Sequence, residues 1–148
     1  MKSSDFIFQK IRNGKPHFAI INLDVEQAEF ENEITENYSG EGFRSQGYIE
    51  SVPYKGYDEW KIAAKNGISF VLELTNQKWR ITINSIEGRI GTDTNPTIVG
   101  HAAILALANL IDLEIDDNLK KDLEDFVFQS WDNDNWNEIP NFKSLSYK

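Results

Sequence analysis

The chain has no cysteine, one methionine, four prolines and two histidines among its 148 residues. Without a thiol there is no disulfide, no thiolate metal site and no cysteine nucleophile, and a reducing compartment is permitted. No run of 18 apolar residues occurs, and Met1-Lys2-Ser3-Ser4-Asp5 opens a mixed segment that lacks the apolar stretch of a secretory signal. A cytoplasmic location without a membrane partner is expected. His17 stands at the start of a strand-like run and His101 in the most apolar segment, neither with an acid or nucleophile nearby in sequence. Structural roles suit both. Asp132-Asn133-Asp134-Asn135-Trp136 begins a calcium-loop rhythm, but the glycine at position six is missing and Lys143 stands where the closing glutamate belongs. With 24 acids in the chain, pairs of carboxylates carry no signal of their own. No catalytic residue, metal ligand or cofactor is assigned, and a non-enzymatic protein is expected.

What the chain does have is negative charge, unevenly placed. The formal net charge is −9. Between Asp112 and Glu138 there are ten acids against Lys120 and Lys121, a net of −8 in that window. General nucleic-acid binding needs clustered Lys and Arg, so the balance argues against it and favours a basic partner. The plainer account is that acids on a helix face keep a protein soluble. Aromatic residues make up 12% of the chain, and Phe126, Phe128, Trp131, Trp136, Phe142 and Tyr147 crowd the acidic end. Tyr and Trp anchor protein interfaces, and surrounding acids steer a basic partner. Phe126 and Trp131 also suit a core, which leaves Phe128 and Trp136 for contact. Asp122, Asp125, Phe128, Asp132, Asp134 and Trp136 are the candidate partner-binding residues.

The patterning reads as α+β, with a mixed or antiparallel sheet of about four strands and two to three helices. Ala19, Ile21, Leu23 and Val25 alternate with polar positions over 18–25, and Asn13-Gly14 ahead of them signals a hairpin with 5–11. A third strand is expected over 30–38 with Phe30, Ile34 and Tyr38 inward, and a short one over 47–52. Asp58 is expected to cap a helix whose stripe is Trp60, Ala63, Ala64, Gly67, Ile68, Val71 and Leu72. A half-buried strand over 78–84 follows, then a polar connection over 85–95. Asn95-Pro96 starts a helix over 97–111 that is apolar nearly all round, and therefore central. A last helix begins near Asp116 or Asp117. No linker divides the chain, so one domain over 1–148 is expected.

Several short segments in this order match a known domain. Val52-Pro53, Ala63-Ala64-Lys65-Asn66-Gly67-Ile68, Arg80-Ile81-Thr82-Ile83, Thr92-Asp93-Thr94-Asn95 and Gly100-His101-Ala102-Ala103-Ile104-Leu105-Ala106 resemble domain IV of translation elongation factor G. The resemblance covers 10–111 and leaves 112–148 as an acidic, aromatic C-terminal extension. It implies a β-α-β module with the helices packed on one face of the sheet, and tip loops over 12–15, 40–47 and 87–93, carrying Arg12, Lys15, Arg44, Arg89 and Asp93. In the family this domain is a non-enzymatic probe that reaches the decoding region of the ribosome. The family's glycine-rich loop is reduced here to Asn13-Gly14-Lys15-Pro16, and Arg89 falls near its tip histidine. No Gly-rich phosphate loop with Lys-Ser/Thr occurs, so a GTP-driven role is not expected. Three functions follow. The first is a protein-binding domain, for example an immunity or antitoxin-like protein that sets its acidic C-terminal face against a basic partner. The second is a ribosome-associated factor using the tip loops, and the third an enzyme of unassigned chemistry.

Overall fold

The computed structural model describes residues 1–132, 134 and 136–147. Strands β1 (Lys2–Arg12) and β2 (Lys15–Gln27) form a long antiparallel hairpin. Its turn is Asn13-Gly14, with φ of 55° and 75°. Both residues are left-handed, the geometry that matches strand twist in a two-residue hairpin and that Asn-Gly accepts at least cost. The short strands β3 (Glu33–Glu36) and β4 (Glu50–Ser51) precede helix α1 (Asp58–Leu72). Strand β5 (Trp79–Gly88) lies between β2 and the two short strands, antiparallel to β2 and β4 and parallel to β3. Helices α2 (Pro96–Leu110) and α3 (Asp117–Phe128) follow, then a single 3-10 turn over Ser130–Asp132. The protein is therefore α+β, a mixed five-stranded sheet with three helices, and the sheet remains open.

Helix α2 lies on β1 and β2 and packs along α1. Its near-complete burial follows from its all-apolar surface. Asn95 caps it by accepting the Ile98 amide at 2.9 Å, and Pro96 takes the first helical position, where no amide is needed. The α1–α2 contact depends on small residues. Gly67 faces the backbone of Gly100, and a Cβ there would strike the Gly100 carbonyl oxygen. The core runs unbroken from Phe8 and Leu23 through Trp60, Ile68 and Ile104 to Leu123, Val127 and Phe142, so residues of the extension share it with the preceding module.

Three expectations need correction. Asp58 does not cap α1: it is the first helical residue, and Tyr57, left-handed with φ of 57°, holds the cap position without a side-chain hydrogen bond. Phe30 does not face inward: it is 86% exposed, because β3 is only four residues long and begins beyond it. Ile34 and Tyr38 do pack against the core. The strand read as 78–84 continues to Gly88, since the pairing with β2 shifts by one residue between Asn22 and Leu23. This bulge lets Ile83 and Ile86, three apart, both face the core.

Candidate functional site

The hairpin turn, the C-terminal end of β5, the start of α2 and the end of α3 all lie at one end of the sheet, as the antiparallel registers require. That end carries most of the residues singled out from the sequence. The two groups, tip loops and acidic extension, meet there. The Arg12 guanidinium lies 4.4 Å from the centre of the Phe128 ring. The Lys15 ammonium reaches Asp132 Oδ1 at 2.5 Å. The Trp131 indole donates to the Pro16 carbonyl at 2.8 Å. Trp136 stacks tilted against Trp131, with ring centres 5.7 Å apart, and lies over Gly91. Gly91 has φ of 72°, a left-handed conformation that favours glycine, and the ring lies against its backbone. Thus Phe128, Asp132 and Trp136 are turned onto the chain's own hairpin and loop.

The other two loops are joined by one residue. Arg89 donates through Nε to the Gly47 carbonyl at 3.2 Å and through Nη1 to Asp93 at 2.8 Å, while its guanidinium covers the Phe18 ring. Arg89 and Asp93 therefore brace the loop pair. Arg44 remains outward, with only an exposed contact to Glu41 at 3.7 Å. Beside it Phe43 and Tyr48 are 61% and 65% exposed. Beneath the loops Glu50 is buried at 2% exposure, accepting from the Tyr57 hydroxyl at 2.5 Å and facing the Ile90 amide at 3.5 Å. Burial, then this hydrogen bond to a carboxylate, holds the Tyr57 phenol well above its ordinary value. Glu50 was not singled out from the sequence, where it looks like one acid among many.

On α3 the acids sort by what they meet. Asp116 caps the helix by accepting the amides of Asn118 and Leu119. Glu124 approaches Lys10 at 4.0 Å, and Asp112 reaches Lys2 at 3.4 Å. Among the described residues, Glu114, Asp117, Asp122, Asp125 and Asp134 have no cationic partner. Asp122 and Asp134 are exposed and Asp125 is half-buried. A groove of about 620 Å³ lies nearby between α3 and the C-terminal segment, lined by Phe126, Gln129, Asp132, Leu145 and Tyr147.

His17 and His101 are both buried; the His101 ring nitrogens have no hydrogen-bond partner, and those of His17 have backbone groups of Phe128, Lys10 and Lys15 nearby but none in good hydrogen-bond geometry. His17 meets Phe128 edge-to-face at 5.0 Å and His101 meets Phe8 at 4.9 Å. Burial lowers the His101 pKa to about 4, helped by the positive charge of Lys10 and by His17. Burial also lowers His17, against the opposing pull of the Phe128, Lys10 and Lys15 backbone. Both rings are held neutral as packing groups. No cluster of three metal-ligating side chains occurs among the described residues. Asn133 and Asn135 of the calcium-like rhythm lie outside them. No helix among them is long and apolar enough to cross a membrane.

The fold and this site define an α+β domain whose sheet end is closed over by its own C-terminal segment. No protein-family model matches the chain, and no curated protein does. Its fold is similar to part of a crystal structure from Thermus thermophilus, with a TM-score of 0.55 over 76% of this chain at 13% identity. The match takes up 16% of that longer chain, and at this identity the likeness concerns the fold alone.

Proposed function

We propose that the protein is a non-enzymatic binding domain that docks a basic protein partner on the outward face of α3, in the manner of an immunity or antitoxin-like protein. One observation carries this reading: among the described residues, Asp117, Asp122, Asp125 and Asp134 have no cation of their own, although neighbouring acids do. Carboxylates left unpaired steer an oppositely charged partner and raise its association rate. The aromatic groove of Phe126, Leu145 and Tyr147 next to them offers the apolar anchor that charge alone lacks. The test is affinity capture with the purified protein, followed by pairwise binding of each retained protein to the wild type and to Asp122→Asn/Asp125→Asn/Asp134→Asn. A basic partner that binds the triple variant at least about tenfold more weakly is expected. Equal binding to both would sink the reading.

A second reading rests on the resemblance to domain IV of elongation factor G, supported by the fold likeness over 76% of the chain. In it the protein is a translation-associated factor that uses the loop bearing Phe43, Arg44 and Tyr48. Sedimentation of a cell extract at low salt separates the two readings. Co-migration with ribosomes that is lost in Arg44→Ala supports the second, and absence from ribosomal fractions removes it.

A further inference from the structure

The three helices cover one face of the sheet and leave the other bare. On that bare face the strand positions carry five carboxylates, Asp5, Asp24, Glu26, Glu33 and Glu87, against one guanidinium, Arg80. These groups are arranged, not scattered. Asn22 donates to Asp5 at 2.7 Å and accepts from Asn84 at 2.9 Å, Ser3 donates to Asp24 at 2.6 Å, and Arg80 bridges Glu26 at 2.7 Å and Glu33 at 2.9 Å. The hydrogen bonds from Ser3 and Asn84 hold the Asp24 carboxyl below its ordinary value. From Asp5 and Glu87 toward the turn an apolar strip runs along the hairpin, interrupted at the Gln9–Phe18 pair, where the Arg89 guanidinium covers the ring. Ile7 lies opposite Ile20, and Ile11 opposite Pro16. Ile7 is 58% and Ile11 75% exposed.

A side chain of this kind at the solvent face of an edge strand gains little for the fold, because β-branched apolar groups stabilise a sheet by packing on cross-strand neighbours and by burial. Ile7 has Ile20 across from it and Ile11 has Pro16, yet both isoleucines keep more than half of their surface in water. The strip is therefore available to a partner. A second copy of this chain is disfavoured, since it would set one acidic face against another, with Asp5, Asp24 and Glu87 uncompensated on each. Charge complementarity selects the opposite: an apolar segment that carries lysine or arginine on the side meeting Asp5, Asp24 and Glu87. We infer that the bare face of the β1–β2 hairpin is a protein-docking surface for a partner segment that combines apolar and basic side chains, distinct from the acids of α3.

Two synthetic peptides test this on the whole chain: a lysine decamer, and a decamer alternating lysine and valine. The alternating peptide at about 0.15 M salt is expected to shift the amide signals of residues 5–9 and 20–24 and to bind at least about fivefold more tightly than the lysine decamer. Ile7→Ser/Ile11→Ser should abolish that difference. Both residues are exposed, and an unchanged far-UV spectrum confirms that the fold is intact. Asp5→Asn/Asp24→Asn should weaken both peptides and flatten their salt dependence. Asp122→Asn/Asp125→Asn/Asp134→Asn should leave the hairpin signals responsive, so failure of the α3 reading is seen separately. Equal affinity for the two peptides, shifts confined to α3, indifference to the isoleucine changes, or a dimer that buries this face would each overturn the inference.

Discussion

The Trp131 indole donates to the carbonyl of Pro16 across 115 residues of sequence, and Lys15 next to that carbonyl grips Asp132. Together they fasten the C-terminal extension to the hairpin turn. The two contacts are not equal. The indole bond is partly buried and comes with ring packing, whereas Lys15 and Asp132 are both about half exposed or more.

Trp131→Phe should cost about 1 kcal/mol and Trp131→Ala about 2 kcal/mol, the sum of a lost hydrogen bond and lost packing at a half-buried site. Asp132→Asn should cost well under about 1 kcal/mol, and less still in salt. Urea unfolding checks the magnitudes. Hydrogen exchange checks the location: the Trp131 variants should speed exchange at residues 15–18 and leave β3 and β5 alone.

Acid should weaken the fold earlier than its surface carboxylates require. His101 titrates at about 4 in the fold against an ordinary 6.5, so it is neutral in the folded state while the unfolded chain takes up a proton. Stability is therefore full above about pH 6.5 and falls as the pH drops from there toward 4, by roughly 1.4 kcal/mol per unit at most and about 3 kcal/mol in all. His17 acts in the same direction. Urea midpoints from about pH 7.5 to about 4.5 should fall less steeply in His101→Leu than in the wild type, and equal slopes would show that His101 does not carry the effect.

Gly67→Ala should destabilise by about 1–3 kcal/mol even though alanine is the better helix former, because the new Cβ strikes the Gly100 carbonyl oxygen and forces α1 and α2 apart. A midpoint equal to or above the wild type in urea would show that the helices accommodate it without cost.

Tyr57→Phe should cost about 1–3 kcal/mol, since the buried Glu50 would keep only the Ile90 amide at 3.5 Å. Glu50→Gln retains an acceptor and should cost less. In alkaline titration followed by tyrosinate absorbance, Tyr57 should remain protonated after ordinary tyrosines have ionised, as should Tyr38, which is buried beside Glu36.

Much of the fold was legible because its signals are local. Alternation over 18–25, Asn13-Gly14, the stripe from Trp60 to Leu72, and Asn95-Pro96 ahead of an all-apolar run each act within a few residues and point to one structure. Phe30 was not legible because inward and outward positions alternate strictly only inside a strand, and β3 stops short of it. Ile86 was hidden because a bulge interrupts the alternation. The candidate residues were legible as types but not as neighbours. Nothing near Phe128 in sequence hints at Arg12, nor anything near Trp136 at Gly91.

By itself, then, the sequence determined the α+β class, the all-apolar α2 and the excess of acid toward the C-terminus, since these depend on residue type and period. Only the tertiary structure decided which acids meet a base and which do not, and that the extension closes over the hairpin end. It alone brought Asp5, Asp24, Glu26, Glu33 and Glu87 to one bare face with Ile7 and Ile11. Charge is a property of the residue, but its pairing depends on distances of a few ångströms between atoms far apart along the chain.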